Sequence, residues 1–211
     1  MPCSKRPTRP WPSLLKWTDY AVGPNDTACP PGAPADAITR AVALLEKRIE
    51  RPTGGLPETV FRLTSSLVPM VNVDLLIRNR RGETLLTWRE DGLYPPGWHV
   101  PGGIVRYKES LAARLRAVAR QELGVRVHFD EAPLSIAEIV ASDRRIRGHF
   151  ISFLYVCRLA SPLPERRKAR GGQPRVGQWR WHRGCPRDLL ACQRSIYGKF
   201  LAMPEPRLRH G

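Results

Sequence analysis

Apolar positions along the chain change period several times, and each change marks an element. From Asp36, "DAITRAVALLEKRIE" sets Ile38, Val42, Leu45 and Ile49 at helical spacing behind an aspartate suited to capping. "LPETVFRLTSSL" predicts a second short helix with Pro57 near its first turn. "MVNVDLLIRN" and "ETLLTWRE" then alternate around the turn "RRG", which predicts a β-hairpin over residues 70–89. After the loop "EDGLYPPG", an alanine-rich segment from about Glu109 to Leu123 returns to helical period. "PLSIAEIVASD" and "HFISFLYVCRL" are two further strands around "RRIRG", and "GQWRWH" is a short one. A closing helix is expected in "PRDLLACQRSIYGKFL", with Pro186 near its first turn. Strands on both sides of a central helix, with another helix at the end, predict an α/β fold in which a mixed sheet lies between helices.

Composition narrows this frame. The 211 residues, 42% of them hydrophobic, suffice for one good core. Eight prolines before residue 35 exclude regular structure there, since proline sustains neither helix nor central strand. We therefore expect an arm over 1–35, a helical extension over 36–67, the main domain over 68–203 and a tail over 204–211. With no long apolar run and no apolar segment behind the basic start, a cytoplasmic protein without membrane contact is expected. The five cysteines are scattered without metal-site spacing and read as reduced thiols. A net charge of +16 favours polyanionic partners, nucleotides and nucleic acid among them, although much of it falls in connectors such as "PERRKARGGQPR".

The central helix carries the chemistry. Leu111, Leu115, Val118 and Glu122 fall near one line along a helical cylinder, which puts a carboxylate in an apolar stripe at the negative end of the helix dipole. Such a group needs a cation, and either an arginine or a divalent metal would serve. Glu109, at the opposite end, is favoured by the dipole and needs no functional explanation. Before it, Gly102 and Gly103 leave bare backbone that can approach a ligand closely.

Together, "GGIVRYKE…QELGV" resembles the Nudix box, G-x5-E-x7-R-E-U-x-E-E-x-G-U with U aliphatic: Gly103, Glu109, Glu122, Gly124 and Val125 match without a gap. The resemblance implies an α/β/α sandwich with a mixed sheet and hydrolysis of a nucleoside diphosphate linked to another group. The family's R-E pair, however, falls on Ala117 and Val118, and the first glutamate of its E-E pair on Gln121. That depletion is similar to the GDP-mannose mannosyl hydrolase type, which uses one magnesium ion, attacks at the sugar carbon and often forms homodimers. The resemblance implies Mg2+, with Mn2+ as substitute, held by Glu122 and the Gly102 carbonyl, Arg89 facing the diphosphate, and Asp74 in the active-site strand; Gln121, where the family has a glutamate, is a further candidate ligand. The metal-binding glutamine and catalytic histidine of that type fall near Arg175 and Val176, which leaves the general base open. His149 and Glu138 are the candidates, because histidine or a desolvated glutamate suits proton abstraction. Trp98 is the aromatic assigned to the substrate. Strand alternation leaves undecided whether His99 or its neighbours face the site. The rival expectation is a weakened fold that binds nucleotides or nucleic acid without turnover.

Overall fold

In the computed structural model, residues 34–92 and 94–202 are described; the arm up to residue 33 and the expected tail lie outside them. The chain divides into two compact units, one ending at Glu50 and the other starting at Arg51. In the first, helix α1 (Pro34–Arg48) begins two residues before Asp36, so that acid stands in the first turn, paired with Arg40, instead of capping.

The second unit opens with a single 3-10 turn, Pro52–Gly54, and helix α2 (Glu58–Thr64). Strands β1 (Met70–Ile77), β2 (Thr84–Arg89), β3 (Gly97–His99) and β4 (Gly102–Ile104) follow. Helix α3 (Leu111–Val118) continues directly into one π-helical turn, Ala119–Leu123. Then come β5 (Val127–Phe129), β6 (Ser135–Val140), β7 (His149–Leu159), β8 (Trp179–His182) and helix α4 (Ala191–Ala202). No helix among the described residues is long and apolar enough to cross a membrane.

Two sheets result. The larger is mixed: β1 lies between β4, antiparallel to it, and β7, parallel to it, while β5 and β6 pair with successive halves of the far edge of β7. The smaller runs β3-β2-β8. The expected hairpin over 70–89 is therefore only a turn. Arg78 and Thr84 form an isolated bridge, after which β1 and β2 enter different sheets, because both edges of β1 are taken by β4 and β7.

Alternation along β1 separates two cores. Val73, Leu75 and Ile77 pack with Leu115, Val118 and Leu123 from the α3 side, whereas Leu76 packs with Tyr197 and Leu201 of α4. Asp74 shares the α4 face with Leu76, and its position there organises the site. The closing helix starts later than Pro186. Asp188 O accepts from Trp98 N at 2.9 Å and Leu190 N donates to Trp98 O at 2.9 Å, so the segment before α4 runs alongside β3 instead.

Candidate functional site

Asp74 and Gly102 are direct partners in the β1–β4 register. A Cβ on Gly102 would lie 2.0 Å from Asp74 Oδ1, so only glycine admits the buried carboxylate beside β4. Asp74 Oδ2 accepts from Ser152 Oγ at 2.6 Å, Tyr197 OH at 2.6 Å and Asn72 Nδ2 at 2.8 Å. Burial raises its pKa from 3.8 to about 6, with these three donors pulling the other way. Gln193 of α4 extends the network: its Oε1 accepts from Val100 N at 2.7 Å, and its Nε2 donates to Val100 O at 3.2 Å. The strand end carrying the Val100–Gly102 backbone is thus fixed from both sides.

The π-helical turn corrects the expected position of Glu122. In a continuous α-helix Glu122 would continue the stripe of Leu111, Leu115 and Val118; the extra residue in the turn brings fully buried Leu123 into the core in its place. Gly124, with φ of 72°, closes the turn in the left-handed conformation. Glu122 is swung aside, its side chain 29% exposed and its Oε2 at 3.3 Å from His99 Nε2. Thr87 Oγ1 lies 3.4 Å from the same oxygen. The negative end of the helix is met separately, by an Arg167 guanidinium donating to the Glu122 backbone carbonyl at 2.5 Å. Among the described residues, the polar groups set against the carboxylate are therefore His99 and Thr87, and no arginine pairs with it.

His99 is the residue that alternation alone could not orient. It is buried and turned into the site, with Nδ1 2.9 Å from the Thr87 carbonyl oxygen. Since a carbonyl only accepts, Nδ1 carries the hydrogen and Nε2 faces Glu122. Two acceptors then confront each other unless a proton or a bound cation lies between them.

Glu109 has a structural role, as expected, but outside the helix. Ser110 is the N-cap of α3, its Oγ accepting from Ala113 N at 3.1 Å. Glu109 folds back, accepting from Arg106 N at 3.0 Å and Arg114 Nε at 2.7 Å. Burial is the largest single influence and pushes its carboxyl up, but these two donors and the charges of Arg114 and Arg106 together outweigh it and hold the carboxyl below the usual range. Gly103 is needed for packing, since a Cβ there would lie 2.9 Å from Val118 Cγ2.

Asp74, Arg89, Gly102, Gln121 and Glu122 all line one cavity of about 820 Å³. Three other expected site residues lie elsewhere. His149 and Glu138 are cross-strand neighbours on β7 and β6, paired at 2.9 Å, and neither lines the cavity; their neighbours Ile139, Phe150 and Ser152 do, because alternation turns those inward. Trp98 is 2% exposed and packs edge-on against Trp88 and His182, with ring centroids 5.3 and 4.5 Å away. It is a core residue. Conversely, His99, Gln193, Arg147 and Arg167 line the cavity without having been assigned to it.

Among the described residues, no three His, Cys, Asp or Glu side chains converge as a metal cluster. One carboxylate, with an amide and a glycine backbone in the same cavity, suits a single ion completed by water, and leaves the His99 nitrogen beside it free to take a proton. Val118, 2% exposed in the core, stands where a further glutamate would be required for more.

Residues 68–195 match the NUDIX domain family. A curated relative, the low-salt glycan biosynthesis protein Agl8 of Haloferax volcanii, is 41% identical over 81 residues, 38% of this chain and 51% of that protein. The chain thus spans about half the length of that relative. Among solved structures, a chain described as a possible asymmetric diadenosine tetraphosphate hydrolase from Jonesia denitrificans superposes with a TM-score of 0.51 at 18% identity, covering 64% of this chain and 94% of that one. The MutT protein of Methanosarcina mazei gives a TM-score of 0.47 at 20% identity, over 63% and 93%. The first of these shows a shared fold.

Proposed function

The chain belongs to the Nudix family, and from that premise we propose that it hydrolyses a nucleoside diphosphate linked to a sugar, with a single divalent ion, Mg2+ or Mn2+, at Glu122. The observation carrying this reading is the Glu122 carboxylate set against His99 Nε2 in a cavity that also holds Arg89. Glu122, Gln121 and the Gly102 backbone would hold the ion, which supplies charge neutralisation at the diphosphate. Arg89 contributes a planar guanidinium suited to phosphate oxygens. Its donation to Asp91 from Nε at 2.7 Å orients the fork. Asp74 acts indirectly, since its fit against the bare Gly102 backbone sets the β1–β4 strand end that lines the same cavity as Glu122. His99, fixed through its Nδ1 hydrogen, offers Nε2 to accept a proton from water next to Glu122. The glycan-related description of the Haloferax relative supports a sugar as the linked group.

A panel of nucleoside diphosphate sugars and dinucleotides, incubated with and without Mg2+ in ¹⁸O-labelled water, tests the proposal. Metal-dependent release of nucleoside diphosphate with label in the sugar is the expected result; label in phosphate would refute attack at carbon. A second reading, a binding module without turnover, draws on the uncharged Ala117, Val118 and Gln121 in the family motif. Absence of product across the panel would favour it.

A further inference from the structure

The family match begins at residue 68, yet one wall of the cavity comes from before it: Pro52, Leu56, Phe61 and Thr64 all line it. This wall is joined to the β6–β7 turn, where Arg147 N donates to the backbone oxygen of Ser65 at 3.3 Å. The turn itself is constrained. Gly148 leaves no room for a Cβ, which would lie 2.5 Å from Arg144 O, and Arg147 sits at φ of 55°, a left-handed conformation that costs a non-glycine residue free energy. That conformation sends the Arg147 side chain into the cavity, with its guanidinium 5.9 Å from the Phe61 ring.

The side chain is incompletely satisfied where it lies. Among the described residues, Arg147 Nε is buried with no hydrogen-bond partner, a costly state for a charged donor. Arg89 lines the same cavity, and Tyr94 lies beneath two guanidinium groups, those of Arg144 at 4.0 Å and Arg89 at 5.5 Å. Burial and then the like charge of Arg89 push the Arg147 guanidinium down from its ordinary value. The buried Nε donor and the like charge of Arg89, which the carboxylates of Asp91 and Glu58 offset only in part, favour an oxyanion in front of Arg147, and its planar fork suits phosphate.

We propose that Arg147, held against the wall formed by residues 52–64, is a phosphate-binding subsite of this chain, formed jointly by the segment preceding the family-matched region and the β6–β7 turn. It rests on the nucleotide-hydrolysing reading for its substrate class, but its binding needs neither the ion nor turnover.

The experiment titrates the full chain with inorganic diphosphate in EDTA at low salt, by calorimetry, and compares Arg147→Gln, Arg147→Lys and Arg145→Gln. Arg145 is the exposed arginine of the same turn and serves as the charge control. Arg147→Gln should weaken binding by at least about tenfold, the loss expected for a charge-assisted pair. Arg147→Lys should lose less, and Arg145→Gln should stay within about twofold. Thermal unfolding of each variant separates lost binding from lost folding. Three results would each overturn the inference: no binding by the unaltered chain, an Arg147→Gln chain within twofold of it, or equal losses at Arg145 and Arg147. Metal-dependent hydrolysis, measured separately, decides the enzymatic reading on its own.

Discussion

Replacing Asp74 with asparagine tests the electrostatics of the site. The substituted amide would keep one oxygen for the donors Ser152, Tyr197 and Asn72, while its nitrogen takes the place of Oδ1 beside Gly102. What disappears is titration. Burial raises the folded-state pKa from 3.8 to about 6, so between those values the folded chain binds a proton that the unfolded chain does not. The slope of unfolding free energy with pH is then negative for this group: its contribution grows as pH falls through 6 and levels off below 3.8. Between pH 7 and pH 5 this amounts to about 1.3 kcal/mol. Urea unfolding of both chains at the two pH values isolates the effect, since other titrating groups cancel in the difference. The stability of the variant relative to the unaltered chain should be greater at pH 7 than at pH 5 by about 1.3 kcal/mol. A difference of zero would show that the hydrogen bonds fully offset desolvation, and a difference of opposite sign would show that the carboxylate is held ionised by an unrecognised cation.

Other perturbations follow from the same geometry. Gly102→Ala places a methyl 2.0 Å from Asp74 Oδ1, so the β1–β4 edge must separate; Mn2+ affinity, followed by electron paramagnetic resonance, should fall at least about tenfold. Val118→Glu, which restores a family glutamate, inserts a carboxylate into a 2% exposed position and should cost about 3 kcal/mol in urea unfolding without adding a second bound ion. His149→Ala removes a histidine outside the cavity, paired with Glu138, and should change kcat/KM by less than about twofold.

Much of this was legible in the sequence because local rules and the fold agree. The β6 and β7 strands, the turn between them and the stripe Leu111, Leu115 and Val118 all emerge from period, since one buried face dictates each pattern. The glycine pair and Glu122 were legible from motif spacing. Three features were not. The π-helical turn leaves no compositional mark, yet it alone decides that Leu123 enters the core while Glu122 turns to His99. The separation of β1 and β2 depends on β4 and β7, which take the edges of β1, and no local pattern reveals a pairing as distant as that of Met70 with Phe150. The roles of His149, Glu138, Trp98 and His99 turned on which way a strand residue faces, and a single alternating segment fixes parity only relative to itself. Gln193 had a faint signal, a polar residue on the helix that covers Asp74, but its contact with Val100 required the tertiary fold.

The central claim concerns Glu122, and Glu122→Gln tests it most directly. The substitution keeps shape and the contacts of the backbone carbonyl with Arg167 while removing the charge opposite His99. With the best substrate from the panel, metal-dependent kcat/KM should fall by at least about 100-fold, and Mn2+ binding should fall with it. Turnover and ion binding within about twofold of the unaltered chain would contradict a single-ion site at Glu122.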